Sequence, residues 1–314
     1  MNRSTTAVLL FGVLFAASGA TCYRNSYNAE PYAPVAFTAP PTLADIIFSV
    51  NANTDRVQQL HSDSAWLSVT GLPALRTTIS LEPPDRFRLR AKLIGPEIDL
   101  GSNEEVFWFW AKKSPEPAIY YARRDQFGSN PAAAPFPVDP HWLLEAFGLV
   151  MLAPGDAHEG PFSRPDGNFE VRSRIPSPAG ELTRVLVIDS RYGWILEQHL
   201  FDARGQLLAT SRTTGHRFYE AYSVSLPHHV AIEIPAAKMS LQIDVSEFLI
   251  NQIYDDPATL WAMPVIEGYT PVNLSAPHAT ATGVPRRPGV SRPTARRQAR
   301  AAMSPTYRGY TQMR

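Results

Sequence analysis

Short segments in which apolar and polar residues alternate, separated by turn residues, constrain this chain more than any other feature. The clearest is 86–93, where apolar residues alternate with cationic ones. Side chains two apart share one face of a strand, so the pattern predicts a strand with one apolar face and one face in water. Further segments adjoin it across residues 83–85 and 94–96, which predicts an antiparallel meander.

Two helices are predicted beside the strands. Thr42 and Asp45 are spaced as a capping box at the start of the first helix, whose apolar stripe is Leu43, Ile46, Ile47, Val50, Val57 and Leu60. A second helix is predicted over 140–151, capped by Asp139, and a loop over 152–167. Further strands are predicted over 75–82, 97–102, 106–110, 118–123, 169–175, 182–189, 194–202, 207–219, 229–234 and 239–245. About ten strands with a few helices indicate an α+β fold.

Charge is distributed unevenly along the 314 residues, although the formal net charge is zero. Eight arginines and no acidic residue follow Pro271, and subtracting them from the 29 basic residues leaves 21 against 29 acidic ones. We therefore predict a folded, acidic body over 42–270 and a disordered Arg-rich tail over 271–314. The only cysteine, Cys22, excludes an intrachain disulfide and a cysteine-based metal cluster.

The N-terminal residues predict export from the cytoplasm. Residues 1–21 combine Arg3, a short apolar run and small residues before Cys22, as a signal peptide does. Acylation of Cys22 would make the chain a lipoprotein, with 22–41 as a Pro-rich tether. Gly19 and Thr21 depart from the usual lipobox, and cleavage after Ala20 would instead leave a free thiol. Tyr23 in place of Asp favours the outer membrane, with the body facing the periplasm.

Motifs that carry chemistry are missing from the sequence. It has no Gly-x-Ser-x-Gly elbow, no His-Glu-x-x-His, no Walker loop and no Gly-x-Gly-x-x-Gly. His228 and His229 are adjacent on a predicted strand, so their rings point to opposite faces and are unsuited to one metal ion. We therefore expect no enzyme activity, no cofactor and no metal.

The aromatic segment 107–110 has two interpretations. Its residues, Phe-Trp-Phe-Trp, suit a central strand that is buried on both faces. They equally suit a strand with one face lining an apolar cavity for a lipid. The sequence leaves both interpretations open.

Three stretches resemble the LolA/LolB lipoprotein-localisation superfamily, and are closest to the LolB-type outer-membrane acceptor. Residues 86–101 resemble a hairpin with an apolar-Gly tip. Residues 194–208 resemble a hairpin with an Asp-x-x-Gly turn. Residues 226–235 followed by 241–245 are similar to the closing Leu-Pro strand pair.

This resemblance implies an incomplete antiparallel β-barrel, a half-barrel whose apolar concave face is covered by helices and binds acyl chains. By position, Ile94 falls on the exposed aliphatic residue at the membrane-insertion tip of the hairpin. The lipid-binding residues expected from this arrangement are Phe87, Leu89, Trp108 and Trp110 on the strands, and Trp142 and Phe147 on the covering helix.

The sequence favours an envelope lipoprotein that binds lipid or lipoprotein acyl chains and takes part in lipoprotein localisation. A second hypothesis is a structural envelope protein without a ligand, whose Arg-rich tail contacts an acidic polymer, an anionic lipid or a protein. Export makes nucleic acid the weakest partner. Loss of the tail should abolish partner binding under the second hypothesis and leave lipid binding intact under the first.

Overall fold

The structure is a computed structural model that describes residues 32–126, 140–177 and 180–274. The predicted signal segment, Cys22, the first half of the tether, Asp139 and most of the Arg-rich tail lie outside the described residues. The described chain forms one large curved sheet that is not closed into a barrel, a two-stranded ribbon and three short-to-medium helices. No helix of this part is both long and apolar enough to cross a membrane.

Seventeen strands are present in the described residues, more than the roughly ten expected from the repeat of turn signals. In chain order they are β1 (Leu60–Val69), β2 (Leu75–Glu82), β3 (Arg86–Lys92), β4 (Pro96–Ser102), β5 (Val106–Ala111), β6 (Ala118–Arg123), β7 (Ala157–Ser163), β8 (Phe169–Ile175), β9 (Leu182–Ile188), β10 (Ile195–Phe201), β11 (Leu207–Thr214), β12 (Arg217–Tyr219), β13 (Val224–Leu226), β14 (His229–Ile234), β15 (Met239–Val245), β16 (Leu249–Ile250) and β17 (Thr270–Asn273). The helices are α1 (Leu43–Asp55), α2 (Pro140–Glu145) and α3 (Pro257–Leu260).

The sheet consists of two arms that meet at one ladder. Its order is β17-β6-β5-β4-β3-β2-β1-β15-β14-β11-β10-β9-β8-β7, and β16 also pairs with β1. The first arm is the predicted meander β2–β6, and the second contains the predicted hairpins from β8 to β15. They meet where Ala65 of β1 opposes Val245 of β15. The central β1 was not predicted, because Leu60 was assigned to the stripe of the preceding helix.

Helix α1 begins with the predicted capping box, since the Thr42 side chain accepts from the Asp45 backbone and the Asp45 carboxylate accepts from the Thr42 backbone. It ends at Asp55, so Val57 and Leu60 are not part of its stripe. The predicted second helix is also shorter, because α2 ends at Glu145 and the chain turns at Gly148, whose φ of +79° favours glycine. The predicted loop 152–167 contains the edge strand β7.

One face of the sheet, the inner face, carries the main core. Leu67, Ile79 and Leu89 of the first arm share one buried cluster with Ile232 of the second arm. Helix α2 packs on this cluster, and α1 packs on a second cluster formed by β8–β10. Burial of these apolar side chains on both arms is what holds the open sheet around the helices.

The opposite, outer face is covered at Arg88 on β3 and along β4–β5, so the expectation that the cationic face of 86–93 lies in water is wrong at Arg88, whereas Arg90 and Lys92 are exposed as predicted. The guanidinium of Arg88 is buried, and it donates to both carboxylate oxygens of Asp99 and to the backbone carbonyls of Thr259, Leu260 and Ala262. Trp108 Nε1 donates to the same carboxylate at 2.9 Å. A charged residue on the outer face therefore fixes the C-terminal segment against the sheet.

Gly101 allows this packing. A Cβ at this position would lie 2.1 Å from Cζ2 of Trp108, so only glycine fits beneath the indole.

The C-terminal segment ends in β17, which lies parallel to β6 at the edge of the sheet. Of the strand pairs in the described residues, this one alone is parallel; the others are antiparallel, as expected. The structured chain therefore continues through Asn273, and the predicted boundary at residue 270 falls inside a strand.

Candidate functional site

A cleft of about 710 Å³ opens beside α2 on the inner face. It lies between that helix, the β2–β3 turn and the strands β8–β10. Its lining is mostly apolar, with Trp142, Leu144, Leu149, Met151, Ile175, Leu182 and Leu200 as the main contributors. Concave apolar sites of this size are typical of small-molecule binding.

A buried polar cluster forms one wall of the cleft. The guanidinium of Arg184, a residue only 2% exposed, donates from Nη1 to Oε1 of Glu145 at 2.5 Å and from Nη2 to the Met151 carbonyl at 3.1 Å. The Gln198 amide donates to the other Glu145 oxygen at 2.9 Å. Glu145 ends α2 and Arg184 lies on β9, so this cluster joins the covering helix to the sheet.

Three polar atoms near this wall have no hydrogen-bond partner among the described residues: Trp142 Nε1, Arg184 Nε and Gln198 Oε1. Trp142 and Arg184 both line the cleft, and two N–H groups that lack an acceptor suit an oxygen of a bound molecule. The positive charge of Arg184 is already balanced by Glu145. The cleft therefore suits an amphiphile with an apolar body and a polar, acceptor-bearing group.

The structure brings four of the six predicted lipid-binding residues together. Phe87, Leu89, Trp142 and Phe147 belong to one cluster on the inner face. Trp142 lines the cleft, whereas the other three are buried in the core around it.

Trp108 and Trp110 are not at this site. Their side chains lie on the outer face, in a separate cluster with Ile119 that is packed against Met263 and Tyr269. The aromatic segment is buried on both faces, since Phe107 belongs to the inner cluster. This is the first of the two interpretations, and its cause is the C-terminal segment, which covers the outer face.

Ile94 is fully exposed, at 102%, in the turn between β3 and β4, and Leu93 beside it is half-exposed. The turn is thus an apolar tip, as expected for this residue. Cys22, the predicted lipidation site, lies outside the described residues.

Sequence reasoning missed the polar wall of the cleft. Arg184 interrupts the apolar run Leu182–Ile188 on the face that carries Leu186 and Ile188, and an arginine on a buried strand face implies a buried acceptor. Glu145 interrupts the apolar face of the predicted second helix in the same way. Their pairing was not visible, because 39 residues of chain separate them.

One group of three side chains resembles a catalytic triad but cannot act as one. His61 Nδ1 lies 2.9 Å from Oγ of Ser80, and His61 Nε2 lies 3.2 Å from the Asp63 carboxylate. Ser80 is only 1% exposed, so a substrate carbonyl has no access to its hydroxyl. Among the described residues, no group of three His, Cys, Asp or Glu side chains is arranged to hold a metal ion.

A second, smaller cavity of about 140 Å³ lies near α1 and contains a stack of aromatic rings. The His216 ring stacks on Trp194 at 4.6 Å, and Trp194 stacks on Tyr192 at 4.5 Å. Burial lowers the pKa of His216 from 6.5 to about 4, because the charged imidazolium loses its hydration. His216 is therefore neutral in the folded protein at neutral pH.

We expect this histidine to make the folded state sensitive to acid. Its folded-state pKa lies below the unfolded value, so its stabilising contribution is complete above pH 6.5 and is lost as the pH falls towards 4. A shift of this size corresponds to about 3 kcal/mol in the free energy of unfolding. Urea unfolding should show that the free energy of unfolding falls more between pH 7 and pH 4.5 in the wild type than in His216→Gln. Equal losses in the two proteins would contradict the assignment.

Comparisons with known proteins give structural matches only. No protein-family model matches the chain, and no curated protein matches it. A DUF1329 family protein from Desulfovibrio piger matches 71% of this chain and 98% of its own at 12% identity, with a TM-score of 0.46. An outer membrane lipoprotein-sorting protein domain from Vibrio parahaemolyticus matches 68% and 95% at 10% identity, with a TM-score of 0.46.

A LolA superfamily protein from Nitrosomonas europaea matches 69% of this chain and 97% of its own at 10% identity, with a TM-score of 0.42.

Proposed function

We propose that this chain is an exported envelope protein that binds acyl chains of lipids or lipoproteins in the cleft beside α2, without catalysis. The observation that supports this proposal best is the cleft itself, a largely apolar space of about 710 Å³. Acyl chains gain free energy by leaving water for such a lining. The unpartnered N–H groups of Trp142 and Arg184 would donate to the ester or amide oxygen at the head of the chain.

We propose further that the protein contacts a membrane through the Ile94 tip, which lies at the end of β3 opposite the β2–β3 turn that borders the cleft. Transfer of a fully exposed aliphatic side chain from water into a bilayer has a favourable free energy. Acylation of Cys22 would hold the body at the outer membrane, and the tether would let the cleft reach it. A localisation role then requires the cleft to hold acyl chains more weakly than the membrane does.

The cleft is tested with Leu182→Arg. Leu182 is partly buried at the cleft wall, so an arginine there places a charge and extra volume in the path of an acyl chain. We expect the affinity for a fluorescent fatty-acyl probe to fall at least about tenfold, the change that 1.4 kcal/mol produces. The measurement is probe titration, with circular dichroism to confirm the fold.

Leu241→Arg is the matched control. Leu241 is likewise partly buried and packs on the same core, but it does not line the cleft. The Leu241→Arg variant should bind the probe with the affinity of the wild type. Unchanged binding in Leu182→Arg, or equal losses in both variants, would show that the cleft is not the acyl site.

A further inference from the structure

Cationic residues are gathered at one end of the sheet, where the Ile94 tip also lies. The chain has only four lysines, and all are in or beside hairpin turns at this end: Lys92, Lys112, Lys113 and Lys238. Strand register places these turns together, because Arg76 opposes Lys92, Ile98 opposes Ala111 and Val69 opposes Leu241. Lys112 is paired with Glu97 at 3.0 Å.

The turns at the other end of the same strands carry acidic residues. Glu82 and Asp85 lie at the β2–β3 turn, and Glu104 and Glu105 lie at the β4–β5 turn. The cations near the tip are therefore not part of a uniformly basic surface. They are an exception on a body whose acidic residues outnumber its basic ones.

Beside the tip, one aromatic and two cationic side chains form a row across three neighbouring strands. Trp66, Arg76 and Lys92 are direct neighbours across β1, β2 and β3, on the outer face. The Arg76 guanidinium lies 5.6 Å from the centre of the Trp66 ring, and Trp66 is 42% exposed. Asp244 follows Trp66 in register on β15, but His229 Nδ1 holds its carboxylate at 2.5 Å.

Placing Arg76 directly opposite Lys92 costs stability, because like charges across an antiparallel pair repel. Neither has an acidic partner in the part of the chain that the structure describes. An exposed pair of cations with no acidic partner among the described residues is available to a negatively charged binding partner.

We call Trp66, Arg76, Lys92, Leu93 and Ile94 the docking surface. Aliphatic residues at a tip, an interfacial tryptophan and adjacent cations together match the layers of a bilayer surface: acyl chains, ester region and headgroup phosphates. Anionic lipids attract such cations within a Debye length of the surface.

We propose that the docking surface binds an anionic bilayer, with Ile94 among the acyl chains, Trp66 at the interface and Arg76 and Lys92 on lipid phosphates. The inference rests on the proposed contact of the tip with a membrane, and it is independent of any ligand in the cleft. It gives the protein a preference for anionic over zwitterionic surfaces and fixes which end faces the membrane.

The test uses the mature chain with Cys22→Ser and Ile94→Cys, labelled at position 94 with a dye that reports polarity. Phosphatidylcholine vesicles with and without phosphatidylglycerol are titrated. We expect the dye to enter an apolar environment on the anionic vesicles and to stay in water on the neutral ones. Adding Arg76→Gln and Lys92→Gln should raise the half-saturating lipid concentration about 25-fold, since each cation near an anionic surface contributes about fivefold.

The matched control removes two cations from the other end of the sheet, with Arg123→Gln and Arg191→Gln. Arg191 also lies over an aromatic ring, that of Tyr192 at 5.3 Å, so the control removes a comparable contact. It should shift the half-saturating concentration less than about twofold, a change within the range of distant surface charges. The labelled protein should dock whether or not it carries Leu182→Arg, which separates this inference from the acyl site.

Two results would overturn the proposal. If the two double substitutions weakened vesicle binding equally, the net charge of the chain, which includes the Arg-rich tail, would explain the attraction without a specific surface. A label that remains in water on anionic vesicles would show that the tip does not enter a bilayer and would assign the surface to an acidic protein partner.

Discussion

Arg184→Met is expected to lower the free energy of unfolding by about 3–5 kcal/mol. The substitution keeps much of the volume of the side chain but leaves the buried Glu145 carboxylate with no cation, held only by Gln198 and, at 3.8 Å, by His141. The cost is that of an uncompensated charge inside the protein. Urea unfolding followed by circular dichroism at pH 7 measures it.

The double variant Arg184→Met, Glu145→Met separates charge from packing. Removing both partners of a buried ion pair is often neutral or stabilising, so we expect the double variant to recover most of the loss. Arg172→Met, on the neighbouring strand β8 but exposed, is the surface control and should cost less than about 1 kcal/mol. A single variant as stable as this control would show that the pair does not hold α2 to the sheet.

Arg88→Met is expected to produce a loss of similar size, about 3–5 kcal/mol, on the outer face. It leaves the Asp99 carboxylate with Trp108 as its remaining donor and frees the carbonyls of Thr259, Leu260 and Ala262. The C-terminal segment should loosen before the sheet does. Limited proteolysis with mapping of the fragments should therefore show faster cleavage around residues 255–268.

Arg90→Met is the control for this experiment. Arg90 lies two residues along the same strand and on the same face, but its contact with Asp255 is exposed and 3.4 Å long. We expect Arg90→Met to lower the free energy of unfolding by less than about 1 kcal/mol and to leave the rate of proteolysis unchanged. Cleavage that is equally fast in both variants would mean that Arg88 does not fix the segment.

The sequence predicted the local helices and strands well, but it predicted poorly which distant segments pack against the sheet. The meander strands and the capping box at Thr42 follow from periodicity and turn residues, which act over a few positions. The exposed tip at Ile94 was expected only from the family resemblance. Strand β1 was missed because Val57 and Leu60 continue the helical spacing of α1 by coincidence.

Burial of Arg88 on the outer face of β3 was missed for a different reason. The alternation at 86–93 looks the same whether the cations face water or a distant segment, and α3 with its flanking residues lies more than 150 residues further along the chain. Trp108 and Trp110 were therefore assigned to the ligand side. Arg184 and Glu145 were overlooked because a buried ion pair has no spacing rule when its partners lie on different elements.

The single junction between the two arms has a consequence for how the chain folds. Within each arm most contacts join neighbouring strands, so their loops are short and they close quickly. The β1–β15 ladder joins Ala65 to Val245, across most of the described chain. Closure over such a distance is slow, so we expect both arms to form first and the ladder to form last. Until then β1 and β15 each expose an unpaired edge, and aggregation of the folding chain is the main risk at that stage.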